Sequence, residues 1–270
     1  MKRIVQGATL MSKPIIAVQL YTVRDFLATP ADVAKTLARI KKIGYDAVEG
    51  AAGCMAPEEF RKLALSNGIT PIGAGAGLNE LRDEFAKLVA RCHGLGVKHV
   101  MIGSVPREKF PTLADWKKLF KELDAYAARL AKEGIALQYH NHMFEFEKLG
   151  VKKGSGGKTI LELLYAHTKR IQAELDFGWI VRGGHNPVTW AKKLKDRLDH
   201  AHIKDWGVIN DQPAWRAIGE GGIEWPDIFK ACKASGTKCY IVEQDACPVT
   251  NDPFLSLAIS RKNIKAFGLA

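Results

Sequence analysis

Four short stretches of this sequence gather side chains that can move protons or bind cations. Tyr139-His140-Asn141-His142 places two imidazoles on alternate residues, with Glu145 just beyond. Glu174 and Asp176 alternate, as do His200, His202 and Lys204, and as do Glu243 and Asp245. In an extended strand, alternate residues share a face, so each stretch can turn its polar groups to one side. A neutral imidazole near pH 7 suits a general base, and carboxylates combined with imidazole suit a divalent cation. Buried and unpaired, such groups would each cost roughly several kcal/mol; a shared cation removes that penalty. Asp176, His202 and Glu243 therefore read as metal ligands, and at least one of His140 and His142 as a further site group. Gln19 and Tyr21 close one apolar run, and Glu49 closes the next.

These groups need elements to hold them. Ile15–Leu20 reads as a strand, being short, nearly continuous and β-branched. Val33, Leu37, Ile40 and Ile43 recur at helical spacing until Gly44 stops the run. The same alternation predicts strands at 47–49, 69–72, 97–102, 135–141, 171–176, 200–204 and 239–243. Helices are expected between them at 57–68, 78–93, 113–132, 161–168, 187–197 and 225–235, and a closing helix at 253–267. Eight strand–helix units give an α/β chain folded as a single (β/α)8 barrel, a TIM barrel, with functional groups at the C-terminal ends of its strands. Every polar stretch above falls at such an end. An open doubly wound sheet is the rival fold, but Gly73, Gly75 and Gly77 lack the spacing of a dinucleotide loop. Residues 1–13 are set apart as a tail and 14–270 form the catalytic barrel. A Gly- and Lys-rich insertion occupies 150–158, and the loop 206–222, with its Gly219–Gly222 run, shapes the pocket and has glycines that permit motion.

Composition sets outer bounds. The chain of 270 residues is 47% hydrophobic, enough for a large core. No apolar run approaches the roughly 20 residues of a membrane helix. Forty Lys and Arg against 29 Asp and Glu give +11, but the basic pairs lie on helix faces, so no nucleic-acid patch is expected. Five cysteines, none spaced CxxC, fit a reducing compartment, so the cytoplasm is expected; the N-terminal segment leaves export open. Trp116, Trp190 and Trp225 read as packing, whereas Trp179 and Trp206 follow strands directly and read as pocket wall. His93, His99 and His167 read as surface or helix-end residues, and His200 as structural.

At these residues the chain resembles the sugar phosphate isomerase/epimerase family, the xylose isomerase-like TIM barrels. The likeness rests on Leu20 to Asp25, Gly44 to Glu49, Tyr139 to His142 with Glu145-Phe146, Leu175-Asp176 with Gly178-Trp179, His202 to Asp205, Gly219 to Gly221 and Val242 to Asp245. It implies one divalent metal ion (Mn, Mg, Co or Zn) held by four residues. Three carry over as Asp176, His202 and Glu243. The fourth is assigned to Glu145, with His142 and Gln138 as alternatives. The resemblance further implies a small-molecule sugar or sugar derivative as partner, and relatives often pair, so a homo-oligomer is an expected assembly.

The implied activity, in carbohydrate metabolism, is that of a metal-binding isomerase or epimerase, with manganese among the candidates. A base removes the proton next to a carbonyl and an enediolate follows. His142 is the first choice of base and His140 the second. Lys204 would stabilise the oxyanion, and Glu243 would add acid–base work to ligation. Gln19, Tyr21 and Glu49 would bind hydroxyls, and Trp179 and Trp206 would stack on the ring. A lyase or hydratase of 3-keto-sugars, or an inosose-type dehydratase, is the alternative on the same site. An apurinic endonuclease would need three zinc ions, for which the first half of the chain lacks ligands, and a non-catalytic sugar-binding barrel would leave the two histidines without a task.

Overall fold

The computed structural model describes residues 13–149 and 157–269. The tail reading therefore lies outside the described residues save for Lys13, and the insertion reading save for Gly157 and Lys158. The strands are β1 Ile15–Gln19, β2 Ala47–Glu49, β3 Thr70–Ala76, β4 His99–Ile102, β5 Ala136–His140, β6 Gln172–Asp176, β7 His200–Ile203, β8 Asp205–Ile209, β9 Gln212–Arg216 and β10 Cys239–Val242. β1 to β7 and β10 form a closed parallel barrel, sealed where Ile15 to Val18 pair with Cys239 to Val242. This is the (β/α)8 barrel expected from the sequence.

Each strand is short and buried on both faces, which favours apolar and β-branched residues. The helices outside are amphipathic for the same reason. In the helix Pro30–Ile43, Val33, Leu37 and Ile40 face the core, and Gly44 ends it at a φ of 107°, a conformation other residues adopt only with strain. Ala17, Ala47, Cys239 and Ile241 fill the lower interior as a small apolar cluster. Above it the inward positions turn polar, with Glu49, Gln138, His140, Glu174, Asp176, His202 and Lys204 all buried.

Local departures from the expected elements shape the site. β3 runs to Ala76, past the expected end at Ile72, because hydrogen bonding to β2 and β4 outweighs the poor strand propensity of its glycines. The helix expected over 78–93 is two, Leu78–Asp83 and Phe85–Leu95, meeting at Glu84. A short helix, Phe177–Arg182, starts directly after β6, capped by Asp176, whose Oδ1 accepts the Trp179 N–H at 2.8 Å. Gly178 lets that helix lie against the Lys204 backbone, where a Cβ would collide with the carbonyl. The loop expected over 206–222 contains the antiparallel hairpin β8–β9, turned by Asn210 and Asp211 at positive φ. Its glycine run is tied down. The buried Asp205 carboxylate accepts the N–H groups of Gly219 at 2.7 Å and Gly221 at 3.2 Å, and the indole N–H of Trp225 at 2.9 Å.

Candidate active site

One cavity of about 720 Å³ opens at the C-terminal ends of the strands. Gln19, Tyr21, His140, His142 and Glu243 line it, as the sequence anticipates. Two of these, His140 and Glu243, form with the fully buried Asp176 and His202 behind them a group in which each brings one donor atom to within 4.8 Å of the others. They arrive from β5, β6, β7 and the end of β10. Parallel pairing sets His140 beside Glu174 and Asp176 beside His202, so four successive strand ends converge.

The remaining residues named from the sequence lie around this group. Glu145 stands outside it. Its Oε1 accepts the Tyr139 hydroxyl at 3.0 Å and its Oε2 the His142 backbone N–H at 2.8 Å, so it straps down the turn after β5. Glu49 is fully buried below the cavity, where it accepts from the Gln19 amide at 2.8 Å, and does not line the wall. Trp179 and Trp206 are not on the wall either. They meet Trp215, each at 4.7 Å between ring centroids, and the Arg182 guanidinium lies over all three rings. The short helix after β6 carries Trp179 behind His142, with 5.3 Å between ring centroids.

Lys204 is completely buried, with Nζ 2.8 Å from Glu243 Oε2, 2.8 Å from Asp245 Oδ2 and 3.1 Å from Asp176 Oδ2. These are ion-pair distances without hydrogen-bonding angles, and Asp176 Oδ2 and Asp245 Oδ2 have no hydrogen-bond partner. His202 is gripped from both sides, its Nδ1 3.1 Å from Glu243 Oε2 and its Nε2 2.8 Å from Glu49 Oε2 and 3.0 Å from Glu174 Oε1. Asn141 joins β5 to β6, accepting the Asp176 N–H at 3.1 Å.

Burial and these neighbours set the protonation states. Burial lifts the Asp176 carboxyl to about 6 despite the Lys204 charge. Burial would raise Glu243 too, but Lys204 and His202 outweigh it and hold Glu243 well below the carboxylate range. Burial disfavours a charged His202, yet Glu174, Glu243 and Glu49 together keep it well above the usual imidazole value. Burial pushes His140 and His142 down, aided at His140 by the His202 charge and at His142 by Lys204, so both are neutral near pH 7. Burial lifts Glu145 to about 7.

The residues present fit a divalent cation. Two imidazoles and two carboxylates form a mixed donor set, and Asp176 Oδ2 and His140 Nδ1 are buried polar atoms without a hydrogen-bond partner. Lys204 supplies part of the positive charge the carboxylates need, and Asp245 gives it a partner outside the four.

In the sequence, Glu174 and Asp245 stand out only as strand-end residues and Asn141 only as part of its stretch. Glu174 shares a face with Asp176, and Asp245 with Glu243; that alternation was the available signal. The role of Asn141 had none, because it depends on which strand lies beside β5.

Residues 37–255 match the family model described as xylose isomerase-like TIM barrel. The chain belongs to that family. A sugar phosphate isomerase/epimerase from Parabacteroides distasonis has the same architecture, with a TM-score of 0.80, 25% identity and 96% of each chain covered. A D-allulose 3-epimerase from Methylomonas sp., in complex with D-allulose, shares the fold at a TM-score of 0.68 and 13% identity, over 94% of this chain and 98% of that one. Among curated relatives, the inosose dehydratase of Lacticaseibacillus casei is 25% identical over 174 residues, 56% of this chain and 54% of its own. The rhizopine catabolism protein MocC of Rhizobium meliloti is 22% identical over 65% of this chain and 61% of its own. The chain thus spans little more than half the length of the curated relatives it matches.

Proposed function

We infer that the chain is an enzyme that removes a proton next to the carbonyl of a sugar or sugar derivative, as an isomerase or epimerase dependent on one divalent cation. The observation that carries this reading is the convergence of His140, Asp176, His202 and Glu243 on one point, with His140 and Glu243 of that group and the neighbouring His142 lining a cavity. These four would hold the cation, with His140 taking the place first given to Glu145, whose carboxylate is engaged by Tyr139 and His142. Two imidazoles favour Mn²⁺, Co²⁺ or Zn²⁺ over Mg²⁺, which prefers oxygen donors. Bound there, the cation would polarise the substrate carbonyl as a Lewis acid.

His142 is the base. It lies on the wall, its Nδ1 has no partner, and burial with the Lys204 charge keeps its ring neutral and ready to accept a proton. Lys204 holds a fixed positive charge behind Glu243, off the cavity wall, from where its field would stabilise negative charge building on the substrate oxygen. Gln19 and Tyr21 offer polar atoms to hydroxyl groups, and the cavity is within the size range of small-molecule sites. Trp179 backs His142. Delivery of the proton to the opposite face gives an epimer, and delivery to the adjacent carbon gives an isomer.

Loss of a β-hydroxyl after the same proton abstraction gives a dehydratase. That second reading is favoured by the inosose dehydratases among the curated relatives. No helix of the described residues is long and apolar enough to cross a membrane, and five free cysteines suit a reducing cytoplasm.

The test is deuterium exchange. Protein loaded with Mn²⁺ is incubated in D₂O with a panel of keto-sugars, inososes and sugar phosphates. Label at the carbon next to the carbonyl, dependent on metal, supports the reading; no exchange with any member opposes it. Release of water from the labelled substrate separates dehydratase from epimerase.

A further inference from the structure

Beneath the cavity, three strands act on one carboxylate that the cavity does not reach. Glu49, at the end of β2, is wholly buried. Its Oε2 accepts the Gln19 amide N–H at 2.8 Å and lies 2.8 Å from His202 Nε2. The opposite ring nitrogen, Nδ1, faces Glu243. Glu174 Oε1 stands 3.0 Å from the same Nε2 at a poorer angle, so Glu49, at 2.8 Å, is the better-placed acceptor for the Nε2 proton. The backbone makes room for this. β2 and β3 shift register between Val48 and Glu49, and the residue then opposite is Gly73, where a Cβ would stand 2.6 Å from Glu49 Oε1.

An imidazole that binds a cation through one nitrogen is oriented, and its tautomer chosen, by what its other N–H donates to. We propose that Glu49 is a positioning residue: it takes the Nε2 proton of His202, fixes the ring plane, and leaves Nδ1 free to face the cation group. This rests on the function proposed above. It replaces the expectation that Glu49 binds sugar hydroxyls, and it gives Gln19 a second task in holding the Glu49 carboxylate.

The test titrates Mn²⁺ into metal-free wild type, E49Q, E49A and G73A, following free Mn²⁺ by electron paramagnetic resonance, with near-ultraviolet dichroism of the metal-free proteins as the fold check. Carboxylates behind a ligating histidine are worth about 10- to 100-fold in affinity, and that loss is expected for E49A. E49Q keeps an oxygen for the Nε2 proton and loses less. G73A weakens binding without touching Glu49 chemically, by displacing its carboxylate. If E49A fails to fold, E49Q and G73A carry the test. Unchanged affinity in the folded variants, with wild type binding one ion, overturns the proposal alone. Two ions in wild type and one in E49Q also overturn it, because Glu49 is then a ligand of a deeper ion. Wild type that takes up no Mn²⁺ overturns the parent reading, and this one with it.

Discussion

Lys204 Nζ lies 2.8 Å from Glu243 Oε2, deep in the barrel and sealed from water. An ammonium among three carboxylates is their main compensation in the metal-free protein. Removing one partner of a buried ion pair costs about 3–5 kcal/mol, because it strands charge in a poor solvent. Lys204→Met is therefore expected to lower the metal-free stability by that order in denaturant unfolding. Mn²⁺ is expected to raise its Tm more than that of wild type, since the cation then supplies the missing charge.

Asp176→Asn and Glu243→Gln remove ligand charge but keep side-chain volume. Both are expected to fold and to lose tightly bound metal. Lewis-acid assistance is worth several kcal/mol, so kcat is expected to fall by about 10³-fold or more. Metal content by elemental analysis and turnover on the exchanging substrate check this together.

His142→Ala separates base from ligand. Its loss is expected to reduce kcat by about 10²- to 10⁴-fold while Mn²⁺ affinity stays near wild type. Loss of metal in this variant would place His142 among the ligands.

Glu145 links the site to stability through pH. Its carboxyl titrates at about 7 in the folded protein, against 4.5 for the unperturbed group. The folded state therefore holds this proton more tightly than the unfolded chain does. The stability it contributes is full below 4.5 and is lost as the pH rises through 7. The difference in unfolding free energy between wild type and Glu145→Gln is expected to move by about 3 kcal/mol between pH 4.5 and pH 8, in the direction that disfavours wild type at high pH. Paired denaturant titrations at the two pH values measure it.

The barrel was legible because apolar runs and amphipathic runs alternate, and because polar residues sit only where such runs stop. That rule singles out Asp176, His202 and Glu243 as candidate ligands. It does not show that His140 joins them, rather than Glu145, His142 or Gln138. His140 and Glu145 both lie near the end of β5, and chemical type favours a carboxylate as ligand; the deciding facts are the hydrogen bonds from Tyr139 and His142, which exist only once the turn is folded. Trp179 owes its placement to a similar cause. Directly after a strand it resembles a wall residue, yet Asp176 caps a six-residue helix there that turns the indole behind His142. Glu49 shows the limit of position alone: the end of a barrel strand places a side chain near the mouth, and a register shift with Gly73 opposite then sinks it below the cavity floor.

The proposed chemistry requires one cation shared by four side chains. Crystals grown with Mn²⁺ and measured at the manganese absorption edge test it directly. A single anomalous peak within bonding distance of His140, Asp176, His202 and Glu243 is the expected result. A peak bonded to Glu145 instead of His140, or no peak at that point, would contradict it.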